Sequence, residues 1–247
     1  MKEIKWQVKW AVALILISAL VYVFHFIIFR DVHHIFLYLI GDIAFVFVQV
    51  LMVTLFLEEL LNKREKKTII EKMNMVVGSF FSEMGRELLD IFNDFDKNFD
   101  EVKENFIDIG NWSKSDFAEK LEISKKLYFE VDYKKGDIEK LRDFLIEKRE
   151  FVLRLLENPN LLEHDSFTNL LWGITHLTEE LAFRKDLKNC CKTDVSHLEG
   201  DLKRAYVLLV YEWLEYMGHL KNRYPYLFSL AVRMNPFDPN ASVEVKE

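Results

Sequence analysis

Polar and ionisable side chains lie within two long apolar stretches near the N-terminus, where such groups are costly if the stretches cross a membrane. Asp42 lies in the second stretch, with Gln49 seven residues further on and therefore on the same helical face. The first stretch carries Ser18, Tyr22 and His25 at i, i+4 and i+7, which is again one face. If the stretches pair as a hairpin, Tyr22 and His25 lie within about one turn of Asp42. These five residues form the predicted intramembrane polar cluster.

Three interpretations of this cluster stay open. Asp42 can hydrogen-bond within or between hairpins and so stabilise helix packing, or it can extend towards water at the outer interface. It can also line an ion or proton path, which is a common role of carboxylates in membrane spans. Tyr22 and His25 are the expected hydrogen-bonding partners of Asp42.

Histidines and carboxylates also occur at helical spacings in the charged remainder of the chain. His176 and Glu179 are separated by three residues, and Glu212, Glu215 and His219 follow at i, i+3 and i+7. Di-metal helical bundles place related patterns on inward faces. Here the second set lies roughly 80–140° from the centre of the apolar stripe of its helix, which is typical of a solvent-facing side. We therefore expect no metal site and no cofactor.

His197, Asp201 and Arg204 share that side of the same helix and are also expected to face solvent. Cys190 and Cys191, close to His197, are a weak zinc pattern because zinc sites usually draw two separated pairs of ligands. They are the two cysteines of the chain, and adjacent cysteines in a cytoplasmic protein are expected to stay reduced.

The segment that begins at Ser166 predicts a helix with two apolar sides. One side is a regular apolar stripe, and the other gathers Trp172, His176 and Phe183. This pattern is typical of a helix buried between two neighbours, which is the default interpretation. The alternative is an exposed contact surface for a protein partner or for a second copy of the chain.

The two apolar stretches, about residues 10–29 and 35–57, each reach the ~20 residues that a helix needs to cross a bilayer core. A cleaved signal peptide is the alternative for the first stretch. This stretch is longer than the apolar region of a signal peptide, and no small-residue cleavage site follows it. The sequence therefore predicts a multi-pass protein whose two-helix hairpin, residues 1–62, lies in the lipid bilayer of the cell inner (plasma) membrane.

Basic flanking residues predict the orientation of this hairpin. Lys2, Lys5 and Lys9 precede the first stretch, and a cluster within residues 63–67 follows the second, whereas the connecting loop offers only Arg30. Because Lys and Arg in short flanks remain on the cytoplasmic side, we expect both termini in the cytoplasm.

The charge balance of the remainder excludes some functions. Residues 68–247 carry 25 Lys and Arg against 34 Asp and Glu, a net charge of −9. Binding to nucleic acid is not expected, because its affinity depends on neutralising phosphates with basic side chains. No Gly-rich phosphate loop and no Gly-x-Ser-x-Gly motif occurs. No catalytic residue is therefore assigned, and an enzyme is not expected.

Periodicity predicts an all-α chain. Apolar residues recur at steps of three and four from Ile70 to Phe106, which predicts a long juxtamembrane helix over residues 63–110. Asp96 flanks this stripe, and replacing it by Asn is expected to change the stability little. A cytoplasmic helical bundle is predicted over residues 111–235, with helix starts at Ser113 and Asp137. Residues 236–247 are expected to be a disordered tail.

The stretch from Asp31 through Glu87 resembles uncharacterised small prokaryotic two-span membrane proteins, and this resemblance implies neither a function nor a site. The leading hypothesis is a non-enzymatic, membrane-anchored helical module that acts through protein contacts, as a homo-oligomer and with a possible cytoplasmic protein partner. The alternative is a subunit of an oligomeric ion channel or transporter, with Asp42 facing the path. A helical metalloenzyme is the third hypothesis.

Overall fold

The chain is all-helical. A computed structural model describes residues 2–125, 129–159, 161 and 164–245, and it contains no strand within these ranges. The chain divides into two compact units, Met1–Glu65 and Lys66–Glu247, and each is described by itself.

The N-terminal unit holds helix α1, Lys2–Phe29, and the first part of helix α2, Val32–Phe80. Between them Arg30 adopts a left-handed backbone conformation with φ of 48°, and its N–H donates to the Phe26 carbonyl oxygen at 2.9 Å. This geometry is a common way to end a helix. Both helices are long and apolar enough to cross a membrane, judged by length and composition.

Side chains of the N-terminal unit have almost no cover. None of those described between Trp6 and Glu65 is buried. The side chains of Lys2, Lys5, Lys66 and Lys67, which contribute to the orientation argument, lie outside the described set.

The C-terminal unit continues α2 and adds seven further α-helices in its described part. A π-helical segment, Phe81–Gly85, follows α2 directly. The α-helices are α3 (Arg86–Asn93), α4 (Phe99–Glu104), α5 (Lys114–Ser124), α6 (Ile138–Leu156), α7 (Asp165–Ala182), α8 (Lys192–Arg223) and α9 (Pro225–Arg233). A short 3₁₀ turn, Ile109–Asn111, precedes α5.

Local sequence signals explain several of these boundaries. Ser113 caps α5 in a reciprocal capping box with Asp116, and the Asp137 carboxylate caps α6, so both predicted starts are confirmed. Pro225 occupies the first turn of α9, where its missing N–H costs nothing, and it separates α9 from α8.

Helix α8 is the centre of the unit. It packs against α7, α5, α9, α3 and the π-helical segment, while α6 packs against α7. Buried residues occur around much of its circumference, including Leu202, Tyr206, Leu209 and Leu214. Because neighbours surround α8, it has a much narrower solvent face than its apolar stripe predicts.

The predicted long helix over residues 63–110 is wrong beyond Asn93. There the chain turns, and Asp96 is fully buried with its Oδ1 accepting hydrogen bonds from the N–H groups of Asn98 at 3.0 Å and Glu130 at 3.2 Å. Asp96 also forms an isolated antiparallel bridge with Val131. Asp96 therefore holds two loops together, and the effect of replacing it by Asn stays a prediction.

The predicted disordered tail is wrong at its start. Phe237 is fully buried and packs on Phe106 and Trp213, with ring centroids 4.9 and 5.1 Å away. Asn93 Nδ2 donates to the Pro236 carbonyl oxygen at 2.8 Å. The burial of one large aromatic side chain fixes a segment whose composition is otherwise polar. Residues 246–247 lie outside the described range.

Candidate functional site

A cluster of imidazole and carboxylate groups lies between α7 and α8. His176 and Glu180 are four residues apart on α7, and His197 and Asp201 are four residues apart on α8, so each pair shares one helical face. The two helices pack together, and their packing brings the two pairs together. The Nε2 atoms of His176 and His197 each lie 3.3 Å from Asp201 Oδ2.

Asp201 is the buried member of this cluster. Its side chain is 4% exposed, whereas those of His176 and His197 are 45% and 52% exposed. Arg204 Nη1 lies 3.2 Å from Asp201 Oδ1 and forms an ion pair with it. The second oxygen, Oδ2, is buried and accepts no hydrogen bond from the described groups. A buried carboxylate oxygen without a donor is unfavourable and indicates a missing partner.

Arg184 organises the carboxylates on one side of the cluster. Its guanidinium contacts Glu180 Oε2 at 2.5 Å and Asp194 Oδ1 at 2.7 Å. These hydrogen bonds lower the pKa of Glu180, and they lower the pKa of Asp194 to about 2. Glu180 is therefore an anion, and its two oxygens lie 3.9 Å from His176 Nε2 and 3.6 Å from His197 Nε2.

The structure corrects the prediction that the polar side of α8 faces solvent. Asp201 is buried, and Glu212 is only 1% exposed with its Oε1 lacking a hydrogen-bond donor. Burial raises the pKa of Glu212 to about 7. Glu215 is exposed, as expected, and His219 is half-buried, with burial lowering its pKa. Helices other than those that pack on the apolar stripe cover part of the polar side of α8.

The predicted contact residues of α7 lie at the surface. Trp172 is 58% and Phe183 is 85% exposed, so the default interpretation of burial between two neighbours is wrong for both. His176 lies between them on the same side of α7 and points into the cluster with Asp201. The alternative, an exposed contact surface, stays a prediction.

The predicted intramembrane residues are mostly exposed in the N-terminal unit. Ser18, Tyr22, Asp42 and Gln49 are exposed, and His25 is half-buried with its ring 4.7 Å from that of Phe29. No hydrogen bond joins Asp42 to Tyr22 or His25 in the part of the chain that the structure describes. Among the described residues Asp42 therefore has neither expected partner within one copy, and the expectation of a bond between copies stays a prediction.

An apolar cavity of about 280 Å³ lies beside the π-helical segment, and sequence reasoning did not find it. The rings of Phe81 and Tyr216 stack at 5.0 Å along one wall, and Leu227 and Met234 contribute to the other. π-Helical turns are rare and often accompany functional sites. Arg86 also lines this cavity, and it forms an ion pair with Asp90 at 2.9 Å.

Two family comparisons cover most of the chain. The family described as "Uncharacterized protein MJ1433, C-terminal helical domain" matches residues 69–233, and "MJ1433, N-terminal helical domain" matches residues 2–61. The chain belongs to the MJ1433 family. The uncharacterized protein MJ1433 of Methanocaldococcus jannaschii is 43% identical over 247 residues, which is 100% of this chain and 99% of the relative. No solved structure matches the chain.

Membership of the MJ1433 family agrees with the expected resemblance to an uncharacterised family and with the all-helical fold. Both family descriptions name a helical domain, and neither names an activity, a ligand or a membrane. The name of the relative does not describe an enzyme either.

Sequence reasoning missed the pairing of His176 with His197 and Asp201 in this MJ1433-family chain. Each of the two helices on its own offers only one histidine and one carboxylate to the cluster. The available signal was the pair of matching patterns, His-x-x-x-Glu at residues 176–180 and His-x-x-x-Asp at 197–201, on consecutive helices. Consecutive helices in bundles are often antiparallel neighbours, so the two patterns could be expected to lie close together.

Proposed function

We propose that this protein is a membrane-anchored helical module that acts through protein contacts, and that it does so as a homo-oligomer. The observation that carries this proposal is the exposure of the N-terminal helices, none of whose described side chains from Trp6 to Glu65 is buried. Apolar surface left in water costs about 25 cal/mol per Å². A lipid bilayer is the environment that removes this cost for two apolar helices of spanning length.

Orientation in the plasma membrane is part of the same proposal. The basic residues at both ends of the hairpin, among them Lys9, Lys63 and Arg64, favour cytoplasmic termini. The acidic, independently packed unit from Lys66 onward is then the cytoplasmic part.

Contact between copies is supported by Asp42 and Gln49. Both are exposed on α2, and facing hydrocarbon costs a carboxylate roughly 2.5 kcal/mol or more at the bilayer centre. A second hairpin that presents hydrogen-bonding groups reduces this cost. The exposed Trp172 on α7 and Phe183, the residue that follows α7, offer a separate apolar surface. We assign this surface to a cytoplasmic protein partner.

A non-enzymatic role fits this arrangement best. The helices are held by an apolar core, and neither the sequence nor the family descriptions indicate a reaction. Specific contacts at an intramembrane acid and at an exposed aromatic surface are sufficient for an interaction or scaffold module.

The second candidate is a subunit of an oligomeric channel or transporter. The same exposure of Asp42 favours it, because an unbonded carboxylate on α2 is available to line a path between several hairpins. A single pair of helices encloses no pore, so this function requires the oligomer as well.

The test is the full-length chain in a mild detergent or in nanodiscs, measured by size-exclusion chromatography with light scattering. We expect a defined oligomer, preserved in Asp42→Asn, which keeps a hydrogen-bonding group, and dissociated in Asp42→Leu. The matched control is Phe47→Leu, an apolar change at a residue 75% exposed on the same helix.

Ion flux into liposomes separates the two candidates. The channel function predicts pH-dependent flux that Asp42→Asn abolishes while assembly persists. A monomer in every variant, or an oligomer that Asp42→Leu leaves unchanged together with the flux, would contradict both.

A further inference from the structure

We propose that His176, His197 and Asp201 form a binding site for a divalent transition-metal ion of the zinc class. The site lies in the C-terminal unit and does not depend on the membrane-anchored function proposed above. It replaces the expectation that no histidine set of this chain binds metal. That expectation rests on sets taken within single segments, His176 with Glu179 and Glu212 with Glu215 and His219. It does not consider His176 together with His197 and Asp201.

The spacing of the three donor atoms is suited to one ion. A tetrahedral zinc ion with bonds of about 2.0–2.1 Å separates its ligand atoms by roughly 3.3–3.4 Å. The Nε2 atoms of His176 and His197 each lie 3.3 Å from Asp201 Oδ2. All three donor atoms lie within 4.8 Å of one another, which is close enough for one ion to contact them all.

The buried oxygen of Asp201 is the second and independent observation. The side chain is 4% exposed, and its Oδ2 has no hydrogen-bond donor although two ring nitrogens are 3.3 Å away. The nitrogens therefore approach this oxygen without forming hydrogen bonds to it. A cation bound between the three atoms would give the oxygen the partner that it lacks.

Neighbouring arginines hold the carboxylates in place. Arg204 binds Asp201 Oδ1 at 3.2 Å, which leaves Oδ2 directed at the imidazoles. Arg184 holds Glu180 beside the rings, with carboxylate oxygens 3.6 and 3.9 Å from His197 and His176. Glu180 therefore adds a negative charge next to the two imidazoles. Such outer contacts fix the orientation of metal ligands and strengthen binding.

The donor set selects the class of metal. Two imidazole nitrogens with one or two carboxylate oxygens suit zinc and the late divalent transition metals, whereas calcium and magnesium prefer oxygen ligands alone. Both histidines are about half exposed, so an ion from solution reaches the site without opening the helical core.

Ion pairing without a metal is the competing arrangement. Protonated His176 and His197 would then neutralise Asp201 directly. The two arrangements respond oppositely to pH: metal binding requires neutral imidazoles and weakens as pH falls, whereas the ion pairs require protonated ones.

The experiment uses the full-length chain, purified without a polyhistidine tag, stripped with a chelator, and titrated with zinc by calorimetry and with cobalt(II) by visible absorption. We expect one ion per chain, a cobalt spectrum of low coordination number, and binding that weakens below the pKa range of histidine. His176→Ala, His197→Ala and Asp201→Asn should each weaken binding ~10-fold or more.

Two control variants test the assignment to these residues. His219→Ala removes a histidine of the same helix α8, and Glu179→Gln removes an exposed carboxylate adjacent to Glu180; neither should change the affinity. Circular dichroism verifies that each variant keeps its helices. If Asp201→Asn unfolds, the proposal is tested by His176→Ala and His197→Ala, which change exposed side chains. No binding at micromolar zinc, or binding that neither His176→Ala nor His197→Ala weakens, would overturn the proposal.

Discussion

Glu212 shows how burial turns an ordinary side chain into a pH-sensitive one. The carboxyl group is 1% exposed on α8, and its pKa is raised from 4.5 to about 7 because burial disfavours the charged form. Between these values the folded chain holds a proton that the unfolded chain has released. The free energy of unfolding therefore decreases as pH rises through this window, by about 3 kcal/mol in all.

Replacing Glu212 by Gln should remove this dependence. As pH rises from 4.5 to about 7, we expect the free energy of unfolding of the variant to increase relative to that of the wild-type chain. The difference should then stay constant at higher pH. The measurement is chemical denaturation of the full-length chain followed by circular dichroism at a series of pH values. Glu215→Gln, at an exposed position of the same helix, is the control and should follow the wild-type curve. Parallel curves for wild type and Glu212→Gln would show that the carboxyl is not buried in solution.

At the scale of helices, the turn around Asp96 ends a helix whose apolar periodicity continues. The spacing of apolar residues from Ile70 to Phe106 matches one long helix, and many of these residues are buried, including Phe95 and Phe106. Periodicity reports which side chains face the core, but it does not report where the backbone turns. The turn depends on hydrogen bonds to residue 130, which lies far along the chain and which local patterns do not identify.

Asp96→Ala should destabilise the C-terminal unit by about 2 kcal/mol, because the backbone N–H groups of Asn98 and Glu130 would lose their acceptor in a buried place. Denaturation of the full-length chain measures the effect. Asp94→Ala, two residues away and exposed, is the matched control and should be close to neutral. Equal stabilities of the two variants would argue against the turn as described.

Helix starts and the polar cluster also differ in how far the sequence predicts them. Ser113 and Asp137 were identified as caps because capping depends on residues within one turn. The polar cluster of His176 and Asp201 was not identified, because it depends on how α7 and α8 pack. Local chemistry was therefore readable from the sequence, and contacts across helices were not.

For the whole molecule, the N-terminal and C-terminal units differ in what their side chains contact. Buried residues of the C-terminal unit occur from Met73 to Phe237. No described side chain of the N-terminal unit up to Glu65 is buried. The all-α class followed from helical periodicity, and the contrast between apolar and charged regions followed from composition. The buried Phe237 did not, because a single aromatic residue in a polar segment gives no periodic signal.

The proposed membrane arrangement predicts that both termini lie in the cytoplasm. A compartment-sensitive reporter fused after Glu247 should be active only in its cytoplasmic form, and one inserted between Arg30 and His34 only in its external form. The physical reason is the excess of Lys and Arg at the ends of the hairpin over its connecting loop. External activity of the C-terminal fusion would contradict the orientation, and cytoplasmic activity of both would contradict insertion.

The five tryptophans of the chain fall into distinct optical environments. Trp112 and Trp213 are 7% and 3% exposed within the aromatic core, Trp172 is exposed on α7, and Trp6 and Trp10 lie on the uncovered helix α1. A water-soluble quencher of fluorescence reaches Trp172 but not the core pair. In the proposed arrangement, a brominated lipid reaches Trp6 and Trp10 instead. Intrinsic emission thus reports separately on the core, on the α7 surface and on the membrane, with no label attached.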